Sequence, residues 1–108
     1  MTIAYRIARE DRADFAAALK RLSRERRRDG AHAWGAAEDT ADPDTVLEWF
    51  FVSSWAEHLR QHRRVSKAAA TLQAEATAFH RGPEPPEVHH FLPLDPRRGK
   101  ADETAGSG

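Results

Sequence analysis

The segment VLEWFFV, Val46 to Val52, constrains the fold more than any other stretch of this chain. A strand with one wet face alternates apolar and polar residues, because successive side chains point to opposite sides of the sheet. This one is apolar on both sides except at Glu48, so both of its faces need cover. A chain of 108 residues buries roughly 65% of its unfolded surface, and its remaining elements supply only one covering layer. A second copy related by two-fold symmetry is the economical cover for the other face.

The other elements are legible from their periods. TIAYRIA (Thr2 to Ala8) alternates as a strand, with Ile3, Tyr5 and Ile7 on one side. Asp11 is expected to cap a helix whose stripe is Phe15, Ala18, Leu19 and Leu22, which runs to about Arg28 and stops at Asp29-Gly30. HAWGAAED and TVLEWFFVSS read as two strands joined by a proline-containing turn. Ser54 and Glu57 form a capping box for a further helical stretch, and Ser66 caps another with the stripe Ala69, Leu72, Ala76 and Phe79. RGPEPPE breaks the chain before a last strand, VHHFLPL. The order is β-α-β-β-α-β with the second helical region split in two: an α+β, ferredoxin-like domain over residues 1–94, its antiparallel sheet covered by helices on one face. From residue 95 onward the sequence carries no large apolar side chain and is expected to be a disordered tail.

Composition narrows the function classes. Lys and Arg number 17 against 17 Asp and Glu, so no overall field steers the molecule to nucleic acid or anionic membrane. The run RLSRERRRD includes Glu25 and Asp29 and lacks interleaved aromatics; it reads as a solvated helix face, and nucleic acid is not an expected partner. No cysteine is present, which removes thiolate chemistry and sulfur-ligated metals. No apolar run nears the roughly 20 residues that span a bilayer, and MTIAYRIARED lacks the regions of a signal peptide; the expected compartment is the cytoplasm.

The element order and SWAEHLRQHRRVS resemble the antibiotic-biosynthesis-monooxygenase-like dimeric α/β barrels. Within them, YRI, RRDGAHAWG and EPPEVHHF are similar to the soluble domain attached to major-facilitator "transmembrane secretion effector" proteins. The resemblance spans about residues 2–94 and implies a homodimer with a cavity between sheet and helices. Haem-degrading members set an asparagine with a tryptophan and a histidine. This chain contains no asparagine, so haem degradation is not expected; of that set, His62 carries over.

Two constellations are candidate sites. Trp55, His58, Leu59 and His62 follow i, i+3, i+4, i+7 spacing and share a helix face. They form a packed face, or a pocket in which His62 or His58 takes a proton from a phenol or enol, or a zinc pair for which the sequence places no third ligand. No metal or other cofactor is expected. The second constellation comes from strand parity. Arg6 and Glu48 are expected across from one another, because a buried carboxylate needs a cation. The face they share is the one turned from Ile3, Tyr5, Ile7, Trp49 and Phe51. Trp34, Glu48, Phe50 and Arg6 then line the barrel, Ala33, Gly35 and Ala37 pack against helices, and His89 and Phe91 face the barrel while Val88, His90 and Leu92 turn to the core. Either this set is a structural ion pair with interface aromatics, or Arg6 stabilises an anion beside substrate-binding Trp34, Glu48, Phe50, Trp55, His89 and Phe91.

Two functional classes follow. In one, a cofactor-independent monooxygenase of secondary metabolism deprotonates a phenolic polycycle whose anion reduces dioxygen. In the other, the same cavity binds an aromatic or polyketide-like ligand without chemistry, or the dimer serves a membrane exporter as an accessory module.

Overall fold

The computed structural model describes residues 1–52, 67–92 and 94–97. Strand β1 (Thr2–Arg6) leads through a 3-10 turn (Arg9–Asp11) into helix α1 (Arg12–Arg28). Strands β2 (Ala31–Glu38) and β3 (Thr45–Val52) form a hairpin, and helix α2 (Lys67–Ala78) precedes strand β4 (Glu87–His89). The strands pair antiparallel in the order β2-β3-β1-β4, and α1 and α2 pack together over one face. This is the ferredoxin-like α+β architecture. The helix expected from Ser54, with Trp55, His58 and His62, and the tail beyond residue 97 lie outside the described residues.

The stripe read on α1 is the buried one: Phe15, Ala18, Leu19 and Leu22 are each at most 2% exposed. Phe15, Leu19 and Leu22 meet Ile3, Tyr5 and Ile7 of the β1 segment, Val46 and Phe50 of β3, and Ala76 of α2. Phe15 stands edge-on to Tyr5 at 5.0 Å and to Phe79 at 6.0 Å. Each such side chain contributes about 1.5–3 kcal/mol by leaving water. Helix α1 ends where Gly30 adopts φ 108° and donates its N–H to the Arg27 carbonyl at 3.1 Å, a conformation that side chains with a Cβ resist. At the other end Asp11 makes no side-chain cap. It already has helical backbone angles as the last residue of the 3-10 turn, and its carboxylate instead accepts from Arg81 at 3.2 Å.

Register decides the faces, and it corrects the parity expectation. Directly paired residues share a face, and Ile3 pairs with Glu48 while Trp34 pairs with Phe50. Glu48, Phe50 and Trp34 therefore lie on the helix-covered face with Ile3 and Tyr5, and not on a barrel face opposite them. Trp49 and Phe51 lie on the open face, as do Ala33 and Gly35, which do not pack against helices. Gly35 is the residue that allows this, because a Cβ there would fall inside the Trp49 indole. A register shift between Ala31 and Ala33 takes His32 out of Trp34's face and stacks it on Phe51 at 6.5 Å. The expected placing of His89 on the open face agrees with its pairing to Thr2, and Val88, paired with Ile3, sits on the helix side but stays 44% exposed at the sheet edge.

The last strand is shorter than VHHFLPL, ending at His89. Its edge position is set by the loop before it. Arg6 donates its N–H to His80 Nδ1 at 2.9 Å, Arg81 donates its N–H to the Arg6 carbonyl at 2.8 Å, and the His80 Nε2 lies 2.8 Å from the Glu84 carbonyl. The end of α2 is thereby tied to the end of β1.

Candidate functional site

Glu48 is the one acidic side chain among the described residues that is fully buried, at 0% exposure. Its partner is Arg26 of α1, not Arg6. Arg26 donates from Nε at 3.1 Å and from Nη2 at 3.2 Å, Trp34 Nε1 donates at 2.8 Å, and the Tyr5 hydroxyl donates at 3.1 Å. Four donated hydrogen bonds satisfy both carboxylate oxygens. Arg26 also reaches Gln73 Oε1 of α2 at 2.5 Å and lies over the Phe50 ring at 4.8 Å, and Gln73 donates its amide to the Tyr5 oxygen at 3.1 Å and to Thr77 at 3.2 Å. Sheet, first helix and second helix are thus joined by one polar network inside an apolar core. Burial, reinforced by the Glu48 charge, raises the Tyr5 phenol well above its ordinary range, so Tyr5 stays a proton donor and cannot serve as a base.

Trp34 divides this network from a surface groove. On its outer side, a groove of about 520 Å³ runs between α1 and the edge strand β2. Trp34, Ala16 and Ala36 provide its accessible apolar walls over a floor of buried Phe15, Leu19 and Val46, and Arg12, Lys20, Arg27 and Glu38 stand along its rim. Pockets of about 300–1,000 Å³ with apolar walls and a few polar groups are the usual form of a small-molecule site.

The remaining candidates fall elsewhere. Arg6 is opposite Thr45 on the open face and binds Asp42 of the hairpin turn at 3.0 Å. Thr45 also donates to Asp42, at 3.0 Å, and the hydroxyl together with Arg6 holds the Asp42 carboxyl below its usual range. His89 binds Glu87 at 2.7 Å, and its ring centroid lies 6.1 Å from that of Phe91. Of the predicted residues, the structure brings together Trp34, Glu48 and Phe50, and separates Arg6, His89 and Phe91 from them. His58, His62 and Trp55 lie outside the described residues. Among the described residues no group of three His, Asp or Glu stands together in a way that holds a metal ion.

Three members of the network were not singled out by sequence: Arg26, Gln73 and the polar end of Tyr5. Arg26 belongs to the basic run that composition marks as a solvated face, yet it follows Leu19 and Leu22 by seven and four residues, which continues the apolar stripe. That spacing was the available signal.

A family model described as "Transmembrane secretion effector" matches residues 1–98. Several solved structures share the fold. A protein of Bordetella bronchiseptica, provisionally named an antibiotic biosynthesis monooxygenase, superposes with a TM-score of 0.68 at 18% identity, covering 86% of this chain and 93% of that one. A similarly named protein of Nitrosomonas europaea gives 0.67 at 11% identity, with 88% of each chain covered. A Mycobacterium tuberculosis protein gives 0.66 at 19%, covering 87% and 92%. At such identities the likeness is one of fold. No curated protein matches the chain, and no helix of the described residues is long and apolar enough to cross a membrane.

Proposed function

Because this chain belongs to the transmembrane secretion effector family, we propose that it binds a planar aromatic or polyketide-like small molecule on behalf of a membrane exporter, as a homodimer and without turning the ligand over. The observation that carries this reading is the groove beside Trp34 backed by a carboxylate already engaged by four donors. A general base must be free to accept a proton from its substrate. Glu48 is not, whereas the half-buried Trp34 and the exposed Ala16 and Ala36 offer an aromatic ligand apolar surface and a ring edge.

Dimerisation is supported by the open sheet face. Phe51 is 53% exposed there, flanked by Trp49 at 6.0 Å and by His32. This is not the face named from parity, which held Glu48 and Phe50. A partner's sheet of about 800 Å² is the size that gives a stable interface.

A titration with N-phenyl-1-naphthylamine, a neutral planar fluorophore, tests the binding reading. The native protein is expected to bind it, and Ala16→Trp, at an exposed helix position on the groove, to weaken binding tenfold or more. Equal affinity in both proteins removes the groove as the site.

A second reading is favoured by one observation, the names of the Bordetella and Nitrosomonas relatives. In it the same domain is a cofactor-independent monooxygenase and His62 or His58 is the base. Oxygen consumption with a polycyclic phenol, lost in His62→Gln, selects that reading over simple binding.

A further inference from the structure

We infer that the ligand of the α1/β2 groove is an organic anion, held at the mouth by Lys20 and Arg27. This inference rests on the binding reading above and adds the charge of what is bound. The chain as a whole is balanced in charge, but the groove is not: three cations, Arg12, Lys20 and Arg27, face one carboxylate, Glu38, a surplus of two positive charges. Glu38 is paired with Arg12 at 2.5 Å, which leaves Lys20 and Arg27 without an ion-pair partner among the described residues. Arg21, Arg26 and Arg28 of the same helix each face a Glu within 3.6 Å; Arg24 has no ion-pair partner among the described residues but lies off the groove.

The placing of the two free cations is regular. Ala16, Lys20, Ser23 and Arg27 recur at intervals of four, three and four residues, so they lie on one face of α1, and all four line the groove. Lys20 and Arg27 are seven residues apart, about 10 Å along the axis, beside the apolar surface of Ala16, Ala36 and Trp34. A planar ring system lying on those walls puts a carboxylate or sulfonate at its rim within reach of both. Guanidinium and ammonium groups without carboxylate partners at the edge of an apolar slot recognise anions by charge-assisted hydrogen bonds.

The test compares two fluorophores with the same rings, 1-anilinonaphthalene-8-sulfonate and neutral N-phenyl-1-naphthylamine. The native protein is expected to bind the sulfonate at least tenfold more tightly, with an advantage that shrinks as salt is raised. In the Lys20→Gln/Arg27→Gln double variant the ratio should fall to within about twofold. A ratio that survives in the double variant, while Ala16→Trp abolishes binding of both probes, overturns the anion inference and leaves the groove reading standing. If Ala16→Trp changes neither affinity, the probes bind elsewhere and both readings fail.

Discussion

Replacing Arg26 by Met should expose how strongly the core depends on a single ion pair between helix α1 and strand β3. Glu48 is fully buried, and Arg26, whose side chain is 17% exposed, supplies two of its four hydrogen bonds. Arg26→Met keeps length and apolar packing but strands the carboxylate. Removing one partner of a buried pair costs about 3–5 kcal/mol, because the remaining charge stays desolvated. In a domain of this size each kcal/mol moves Tm by about 4–8 °C, so a fall of about 12 °C or more is expected. Gln73 also loses its contact, which adds to the cost. The sharper expectation concerns the pair. Adding Glu48→Gln to Arg26→Met removes the stranded charge and keeps an acceptor for Trp34 and Tyr5, so the double variant should regain about 2 kcal/mol, within the usual range for coupled contacting residues. Urea denaturation followed by tryptophan fluorescence reads all four proteins. Arg26→Met costing under 1 kcal/mol, or Glu48→Gln adding a further loss on top of it, would refute the reasoning.

Three other outcomes are expected. The chain has one tyrosine, so absorbance of tyrosinate at alkaline pH reports Tyr5 alone. Its folded pKa is raised above the unfolded value of 10.0 by burial first and the Glu48 charge second, so the stability it contributes is complete below pH 10 and is lost as pH climbs above it; ionisation should coincide with loss of circular dichroism, and tyrosinate in a folded chain contradicts the network. Gly35→Ala drives a methyl group into Trp49 and should lower Tm by several degrees and perturb assembly, as calorimetry and sedimentation will show. Phe51→Arg on the open face should convert a dimer to a monomer of 12.1 kDa without unfolding it; unchanged mass in light scattering removes the sheet face as the interface.

The elements were legible because each has one dominant period. The helix stripe from Phe15 to Leu22 and the alternation of Ile3, Tyr5 and Ile7 are buried as read. Assignment of faces was not legible in β3 for a physical reason. With Val46, Glu48 and Phe50 on one side and Leu47, Trp49 and Phe51 on the other, both sets are apolar enough to be inside, and alternation alone does not say which one meets the helices. Placing Glu48 outward with Arg6 assumed that its cation had to come from a neighbouring strand, when it comes from α1. The bulge at His32 adds a second parity change that no pattern in HAWG announces. For the site, Trp34 and Glu48 were named and do meet, at 2.8 Å. The groove was not named, since its walls come from α1 and β2, elements whose packing depends on the faces that parity misassigned.

The central claim is that an aromatic ligand occupies the α1/β2 groove against Trp34. Nuclear magnetic resonance of the labelled protein, titrated with 1-anilinonaphthalene-8-sulfonate, tests it most directly. The largest shifts are expected on the methyl groups of Ala16, Leu19 and Ala36 and on the Trp34 indole N–H, with the Lys20 and Arg27 resonances following. Shifts confined to Ala4, Trp49 and Phe51 on the open face, with the groove methyls unmoved, contradict it.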